Sequence, residues 1–185
     1  MALPEVTLEL NYAKDEPAFI TLLGLMMMDN YVGVSGVVKP PTLEQIKTHL
    51  AAIRSPEARA AGISIMVIRS NGRIVGTTRP RPVIENKAKQ AKVKDSDGYW
   101  KIGSFFIHPD YRGKGFGTAA ALAFKAIHPK LVYMYEEGND SSARIAKNLD
   151  LPFSHYLYLR GDELYFRVSH LWARDSYLRY LVHKN

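Results

Sequence analysis

Apolar and polar residues along the chain fall into stretches that have either the period of a strand or the period of a helix. Residues Val6–Tyr12 alternate roughly between apolar and polar and predict a first strand. Apolar side chains then recur at helical spacing from Phe19 to Met27, which predicts a helix after that strand. Asp15 is placed to cap this helix, and Pro17 suits its first turn.

The middle of the chain carries the clearest local signals. Thr42 and Gln45 have the spacing of a capping box and predict the start of a second helix. Two runs rich in β-formers flank Asn71-Gly72, which favours the type I′ turn of a hairpin because both central residues of that turn need positive φ. Residues 85–98 are polar and lysine-rich and predict an exposed loop. The apolar run over 99–109 predicts one central strand.

Helices and strands are predicted to alternate in the second half of the chain. They are, in order, a helix over Phe116–Ile127 that Pro129 stops, a strand over 130–137, a helix that Asn139 or Asp140 caps, a hairpin over 153–171 that turns at Gly161-Asp162, and a basic amphipathic helix from Trp172.

This order of elements predicts an α/β (α+β) fold built on one sheet. Hairpins and β-α-β crossovers together imply a mixed, mostly antiparallel sheet of about seven strands, flanked by helices. We place one domain at 1–170, followed by a basic C-terminal helix or tail at 171–185.

Composition narrows the class of protein. The 185 residues are 46% hydrophobic, which is enough for a sizeable core. The chain has no cysteine, so disulfides, thiolate metal sites and a cysteine nucleophile are excluded. No spacing of histidines and acids indicates another metal site. Because we find neither a basic leader nor an apolar run long enough to span a bilayer, we expect a soluble cytoplasmic protein with no membrane partner.

The charge balance favours anionic partners. Lysine and arginine total 25 against 18 acidic residues, which gives a formal net charge of +7. Nucleic acid, a membrane surface or a phosphate-rich cofactor would each suit this charge, and a basic surface that only confers solubility is the alternative. Basic side chains concentrate in the loop from Lys87 to Lys94 and near the C-terminus, at Arg174, Arg179, His183 and Lys184.

Glycines alternate with other residues between the apolar strand and an alanine-rich helix, in "HPDYRGKGFGTAAALAF" over 108–124. The first N–H groups of a helix have no partner within it, and the helix dipole adds positive charge there. Glycine lacks the Cβ that would keep a phosphate from these groups, and Arg112 and Lys114 add charge. The stretch therefore predicts a cradle for a pyrophosphate, although it matches neither the P-loop nor the dinucleotide fingerprint.

The stretch "FFIHPDYRGKGFGTAAALAF" resembles the acetyl-coenzyme A (acetyl-CoA) signature of the GNAT superfamily of N-acetyltransferases. In that signature an apolar strand, a proline and Arg-Gly-x-Gly-x-Gly or Ala precede a helix. A second stretch, "NDSSARIAKNLDLPF", resembles the family's next motif, in which an asparagine opens a helix and a serine or alanine follows three residues later. Asn139 and Ser142 match that motif, whereas Asp150-Leu151 replaces its usual Gly-Phe. The resemblance covers most of the chain, from Val6 to His170.

This resemblance implies a binding site for acetyl-CoA as co-substrate. The strand from Phe105 to Ile107, with Phe106 at its centre, would pair with the pantetheine arm and polarise the thioester carbonyl. Asn139 and Ser142 would lie on the far side of the arm. The acceptor amine would attack the thioester directly, with no covalent enzyme intermediate. Backbone N–H groups of the signature loop would hold the pyrophosphate, over Arg112, Gly113, Lys114, Gly115, Phe116, Gly117 and Thr118.

The chain differs from the family it resembles in the residues available for proton transfer. Many members supply a tyrosine, in the helix that the asparagine opens, as the acid for the leaving thiolate, and that position is Ala146 here. Ser142, Tyr135 or a water molecule would take its place. The attacking amine must also lose a proton to a base, and Glu136 and Glu137 are the nearest candidates after the preceding strand.

The sequence leaves open which amine accepts the acyl group and which group is transferred. The acceptor is a small amine, a protein amine or an amine of a nucleic acid. Met26–Met28 either fill the core or form an adaptable wall of the acceptor pocket. The predicted cradle contacts the phosphates of the donor and not its acyl chain, so another acyl group could replace acetyl. The missing tyrosine also allows a silent module that binds coenzyme A, or another anion, without transfer. A homodimer is one possible oligomeric state.

Overall fold

A computed structural model of the chain describes residues 2–10, 17–35, 40–60, 62, 64–83, 98–136, 139–151, 153–160 and 175–182. The helices are α1 (Pro17–Ser35), α2 (Leu43–Arg54), α3 (Pro56–Ala60), α4 (Phe116–Ile127) and α5 (Asp140–Leu149), and a short 3-10 turn spans Pro109–Tyr111. The strands are β1 (Thr7–Leu10), β2 (Met66–Ser70), β3 (Arg73–Thr78), β4 (Arg81–Pro82), β5 (Trp100–Ile102), β6 (Phe106–Ile107), β7 (Leu131–Glu136), β8 (Phe153–Arg160) and β9 (Asp175–Val182).

The described strands form two sheets, in the orders β1-β2-β3-β6 and β4-β5-β7-β9-β8. All neighbours are antiparallel apart from the parallel pair β5–β7. This confirms the predicted α/β fold class, with mixed, mostly antiparallel strands flanked by helices, but the strands divide into two sheets instead of the single sheet expected. Two of the described strands, β4 and β6, have only 2 residues each, so the longer strands agree with the predicted number.

Two local predictions are confirmed in detail. Thr42 Oγ1 accepts a hydrogen bond from the N–H of Gln45 at 3.2 Å, and Gln45 Oε1 accepts one from the N–H of Thr42 at 2.8 Å, which completes the capping box of α2. β2 and β3 pair as a hairpin around Asn71 and Gly72. These two residues have φ values of 48° and 74°, as the type I′ turn requires.

The predicted single strand over 99–109 is wrong, because the chain passes there from one sheet to the other. β5 pairs in parallel with β7, whereas β6 pairs antiparallel with β3. Between them Ser104 has a φ of 53°, in the left-handed region that regular strands do not contain. The residues on both sides of this break are apolar, so the hydrophobic pattern did not reveal it.

The predicted C-terminal helix from Trp172 is also wrong. Residues 175–182 form β9, which lies between β7 and β8 and is antiparallel to both. Apolar residues fall at both parities in "SYLRYLV", as is typical of strands in the middle of a sheet, and over so short a run this pattern also fits a helix. These residues form a strand because their backbone groups pair with two neighbouring strands, β7 and β8.

Some predicted elements lie outside the described residues. The strand β8 pairs with β9, with Arg160 opposite Asp175, while the turn at Gly161-Asp162 and the second arm of the predicted hairpin are not described. The same holds for the predicted cap Asp15 and for most of the loop over 85–98.

Helices cover both faces of the first sheet. On one face α1 and α2 pack Phe19 and Leu50 against Val67 and Phe106. On the other face α4 packs Ala120, which is fully buried, against Val75 and its neighbours. The small side chains of the alanine run let α4 lie close to the sheet. The N-terminus of α4 is thereby held beside the end of β6.

Candidate functional site

A cleft of about 500 Å³ opens where the glycine loop, β6 and the start of α5 meet. The structure brings together there nearly all the residues predicted to bind the cofactor, and Lys114 is the exception. Those that line the cleft are Phe106, Ile107, Arg112, Gly113, Gly115, Phe116, Gly117, Thr118, Asn139 and Ser142.

The glycine loop leaves the N-terminus of α4 open. Gly113 and Gly115 have φ values of 74° and 86°, a left-handed conformation that favours glycine. Gly115 is the N-cap of α4 and offers no side-chain cap, and the first bond within the helix runs from the N–H of Ala119 to the Gly115 carbonyl. The N–H groups of the first turn, from Phe116 to Thr118, therefore remain available as donors.

The two basic residues of the loop have different positions. Arg112 Nε donates to the Ile107 carbonyl at 3.0 Å, and its guanidinium carbon lies 5.3 Å from the centre of the Phe106 ring. Lys114 Nζ donates to the Asp110 carbonyl at 2.7 Å. Arg112 thus ties the loop to β6 and places its charge in the cleft wall, whereas Lys114 points back to the 3-10 turn.

β6 pairs with β3 along one edge, where Ile107 lies opposite Gly76. Its other edge borders the cleft, because β7 pairs instead with β5 and β9. An edge strand offers N–H and C=O groups that can pair with an extended ligand. A Cβ at Gly76 would lie 2.6 Å from the Phe106 carbonyl oxygen, so glycine allows this close approach. A glycine inside a strand pattern was the signal that could have predicted it.

The start of α5 forms the opposite wall of the cleft. Asn139 Oδ1 accepts from the N–H of Ser142 at 3.0 Å and caps the helix. The side chain of Ser142 faces the hydroxyl of Tyr133 on β7 and, as a hydrogen-bond donor, acts to lower the pKa of that phenol. Burial raises the pKa of Tyr133 to about 12, because a phenolate would be poorly solvated there. The phenol therefore stays neutral and keeps its proton.

The other residues predicted for acid–base chemistry are placed less directly. Tyr135 is half-buried with its ring centre 5.9 Å from that of Tyr133, and it is not part of the cleft wall that the structure describes. Glu136 is the last residue of β7, where its backbone pairs with β9. Glu137 lies outside the described residues. Ala146 is buried in the same core cluster as Tyr133.

The sequence did not single out Tyr133, Arg144 or Asn148. Arg144 and Asn148 line the cleft together with Ser141. Their spacing of three and four residues along α5 places them on one face of the helix, and this was a usable signal. Tyr133 gave no such signal, because the partner that reveals its position, Ser142, belongs to another element.

The part of the chain that the structure describes contains neither a membrane-spanning helix nor a cluster of metal ligands. No helix there is long and apolar enough to cross a membrane. No group of three or more His, Cys, Asp or Glu side chains is placed there to hold a metal ion.

Comparison with known proteins identifies relatives of this arrangement. The sequence profile of the Acetyltransferase (GNAT) family matches residues 23–148, a range that includes the glycine loop and most of α5. No curated protein matches the chain in sequence.

Solved structures of acetyltransferases share the fold. An N-acetyltransferase from Staphylococcus aureus Mu50 is 17% identical, with a TM-score of 0.54 over 96% of this chain and 99% of that chain. The ribosomal alpha-N-protein acetyltransferase RimL in complex with coenzyme A is 14% identical, with a TM-score of 0.60 over 96% and 94%. The microcin C7 self-immunity acetyltransferase MccE in complex with acetyl-CoA and AMP is 14% identical, with a TM-score of 0.62 over 95% and 92%.

Proposed function

The chain belongs to the GNAT family of acetyltransferases, and we propose that it transfers an acetyl group from acetyl-CoA to an amine by direct attack in a ternary complex. The observation that carries the proposal is that the open N-terminus of α4 and the edge of β6 that no described strand pairs with border one cleft. A ligand with a pyrophosphate at one end and an extended arm at the other matches both features.

In this proposal the glycine loop binds the pyrophosphate. Its donors are the backbone N–H groups of the first turn of α4, together with those of the loop from Gly113 to Gly115, whereas the N–H of Arg112 already donates to the Pro109 carbonyl at 3.1 Å. Hydrogen bonds to a charged group contribute about 1.5–3 kcal/mol each, so a few of them are enough to anchor the ligand. Arg112 adds positive charge to the same wall, and Lys114 acts through the loop conformation.

The free edge of β6 would hold the pantetheine arm by pairing with the backbone of Phe106 and Ile107. When bound, acetyl-CoA supplies an activated acyl group whose carbonyl oxygen gains negative charge as the amine attacks. A backbone N–H of β6 aimed at that oxygen would stabilise the charge. The half-buried and buried side chains of Phe105 and Phe106 would limit the access of water.

We assign the acid to Ser142, with Tyr133 as the residue that positions it. The N-terminal turn of α5 fixes the backbone of Ser142 through Asn139, and Tyr133 holds the hydroxyl. Ser142 acts as a donor toward the Tyr133 oxygen, since it lowers the pKa of that phenol. Because Tyr133 stays neutral and keeps its proton, it would donate to Ser142 Oγ once the Ser142 proton has passed to the departing thiolate. Tyr135 is the alternative source of this proton.

We assign the base to Glu136, at the end of β7. An ammonium has no lone pair, so the acceptor must lose a proton before attack, either to the carboxylate directly or through a water molecule. A position at the end of β7, just before the start of α5, supports this assignment.

Transfer of labelled acetyl tests the function. Purified protein would be mixed with acetyl-labelled coenzyme A and a cell extract divided into protein, nucleic-acid and small-molecule fractions. We expect label in one fraction, together with an equal release of free thiol. Thiol release without labelled product would indicate hydrolysis instead.

A silent binding module is the second candidate, because the side chain at the family's tyrosine position is a buried alanine, Ala146. In that case the protein would bind acetyl-CoA in calorimetry, yet no fraction would acquire label and no thiol would be released. Binding and turnover measured on the same sample separate the two functions.

A further inference from the structure

A guanidinium lies on the face of the first sheet that α1 and α2 cover. Arg79 directly follows β3, and its Nη2 donates to Nε2 of His49, on α2, at 2.8 Å. The same Nη2 lies 3.8 Å from the sulfur of Met26, on α1. His49 is the neutral tautomer with a free Nε2, because guanidinium has no acceptor to offer. Burial, and next the charge of Arg79, lower the pKa of His49 and keep it neutral.

This guanidinium has no counter-ion among the residues that the structure describes. The Nε–H of Arg79 is buried and has no hydrogen-bond partner there. Burial lowers the pKa of Arg79, because the charged guanidinium is poorly solvated there. A buried charged donor that lacks an acceptor is costly, and native structures rarely keep one without a reason. The unused donor therefore points to an oxygen supplied by a ligand.

Arg79 lies near the cleft that the glycine loop, β6 and the start of α5 form. Its backbone N–H donates to the carbonyl of Gly103 at 3.5 Å, where the chain passes from β5 to β6. Arg79 lies on the same face of the sheet as Thr77, because the hydroxyl of Thr77 also approaches the Met26 sulfur, at 4.0 Å. Thr77 lies opposite Phe106, which lines the cleft.

From this geometry we propose that Arg79, oriented by His49, binds an oxyanion on the acceptor, so that the acceptor is a small amine that also carries a carboxylate or a phosphate. The inference rests on the proposed function, since it assigns the acceptor of the same site. A guanidinium binds carboxylate and phosphate through two parallel hydrogen bonds, and the free Nε–H of Arg79 can supply one of them. The thioether of Met26 gives this site a wall that can adapt to the rest of the molecule.

Matched pairs of acceptors test the proposal on the wild-type protein. Thiol release from acetyl-CoA would be followed with β-alanine against its amide, and with phosphoethanolamine against ethanolamine. We expect the anionic member of one pair to have a kcat/KM higher by about tenfold or more, the effect of one charged contact. The pair that responds tells a carboxylate from a phosphate. Equal values within both pairs would overturn the proposal.

Variants place the effect at Arg79. Arg79→Gln should raise KM for the anionic acceptor by about tenfold and leave KM for acetyl-CoA unchanged. Arg79→Lys keeps the charge without the paired donors and should recover part of the loss. The matched control is Arg73→Gln, which removes an exposed arginine at the other end of β3 and should change neither constant. An acceptor preference that survives in a folded Arg79→Gln protein would also overturn the proposal.

A readout that needs no turnover separates this inference from the proposed function. In ¹⁵N spectra of the wild-type protein with coenzyme A present, the Nε–H signal of Arg79 should shift on titration with acetate or inorganic phosphate. If the protein transfers no acetyl group but this signal shifts, the anion site stands and the transfer proposal fails. If the signal does not move with either anion, the anion site fails, whatever the activity.

Discussion

The backbone conformation of Gly115 affects both the stability of the fold and the proposed pyrophosphate cradle. Its φ of 86° is one that side chains disfavour. An added Cβ would also lie 3.0 Å from Leu3 Cδ2 and 3.3 Å from Pro4 Cδ, so the N-terminal segment packs directly on the loop. A substitution here must therefore be judged for stability and for binding at once.

Gly115→Ala should lower the free energy of unfolding by about 1–2 kcal/mol, the cost of a left-handed alanine. It should also weaken acetyl-CoA binding by about tenfold or more, because a misplaced loop loses at least one hydrogen bond to a charged phosphate. The control is Gly72→Ala, at the turn of the β2–β3 hairpin. Gly72 has a similar φ of 74°, and no atom of the described residues lies within 4 Å of the added Cβ. Denaturation should show a stability loss for both variants, at least as large for Gly115→Ala because its Cβ also contacts Leu3 and Pro4. Calorimetry should show an affinity loss only for Gly115→Ala.

Tyr133 is the second residue whose change gives a specific outcome. Tyr133→Phe removes the hydroxyl that Ser142 faces, so kcat should fall by about tenfold, as expected for the loss of one positioning contact, while KM for acetyl-CoA stays unchanged. Ser142→Ala should lower kcat at least as much, and the double variant should be no slower than Ser142→Ala. If Tyr135→Phe lowers kcat and Tyr133→Phe does not, Tyr135 is the acid and the assignment to Ser142 is wrong.

The packing of α4 on α5 is the element-scale contact that sets the width of the cleft. Gly117, in the first turn of α4, would place an added Cβ 3.2 Å from Cδ1 of Ile145 on α5. Both residues line the cleft. A shift of one helix by a few tenths of an ångström would therefore change both the proposed phosphate site and the cleft wall that contains Ser142.

We expect Gly117→Ala and Ile145→Val to be coupled. The valine removes the Cδ1 atom that the new Cβ would crowd, although by itself it costs about 0.5–1.5 kcal/mol of stability. The double variant should therefore be more stable than the sum of the single changes predicts, by about 0.5 kcal/mol or more. Urea denaturation of the four proteins measures this coupling. Strict additivity would mean that α5 relaxes freely and does not set the width of the cleft.

The dependence of stability on pH belongs to the whole molecule. Burial lowers the pKa of His128 and, together with the charge of Arg79, that of His49, from the usual 6.5. As pH falls below that value the unfolded chain takes up protons first, so the folded state loses stability until the pH passes the lower folded-state pKa.

The melting temperature should therefore be lower near about pH 5.5 than near about pH 7.5. His49→Gln should reduce this difference, because glutamine can still accept from Arg79 but does not titrate. Thermal melts of both proteins across this range provide the measurement. Identical pH profiles would show that His49 contributes nothing to the dependence.

Features that depend on near neighbours along the chain could be predicted from the sequence. The capping box of Thr42, the Asn71-Gly72 turn, the Asn139 cap and the glycine loop before α4 all depend on residues only a few positions apart. Backbone sterics and local hydrogen bonds decide such features, so a sequence can predict them. The same holds for the resemblance to the GNAT superfamily, which the family match over residues 23–148 confirms.

Only the tertiary structure decided the rest. The break at Ser104 and the strand β9 depend on which distant strand offers hydrogen bonds, and an apolar run fits more than one answer. The contact of Tyr133 with Ser142 and the placement of Arg79 between two helices join residues from separate elements. Long-range packing sets these contacts, and no local pattern in the sequence encodes them.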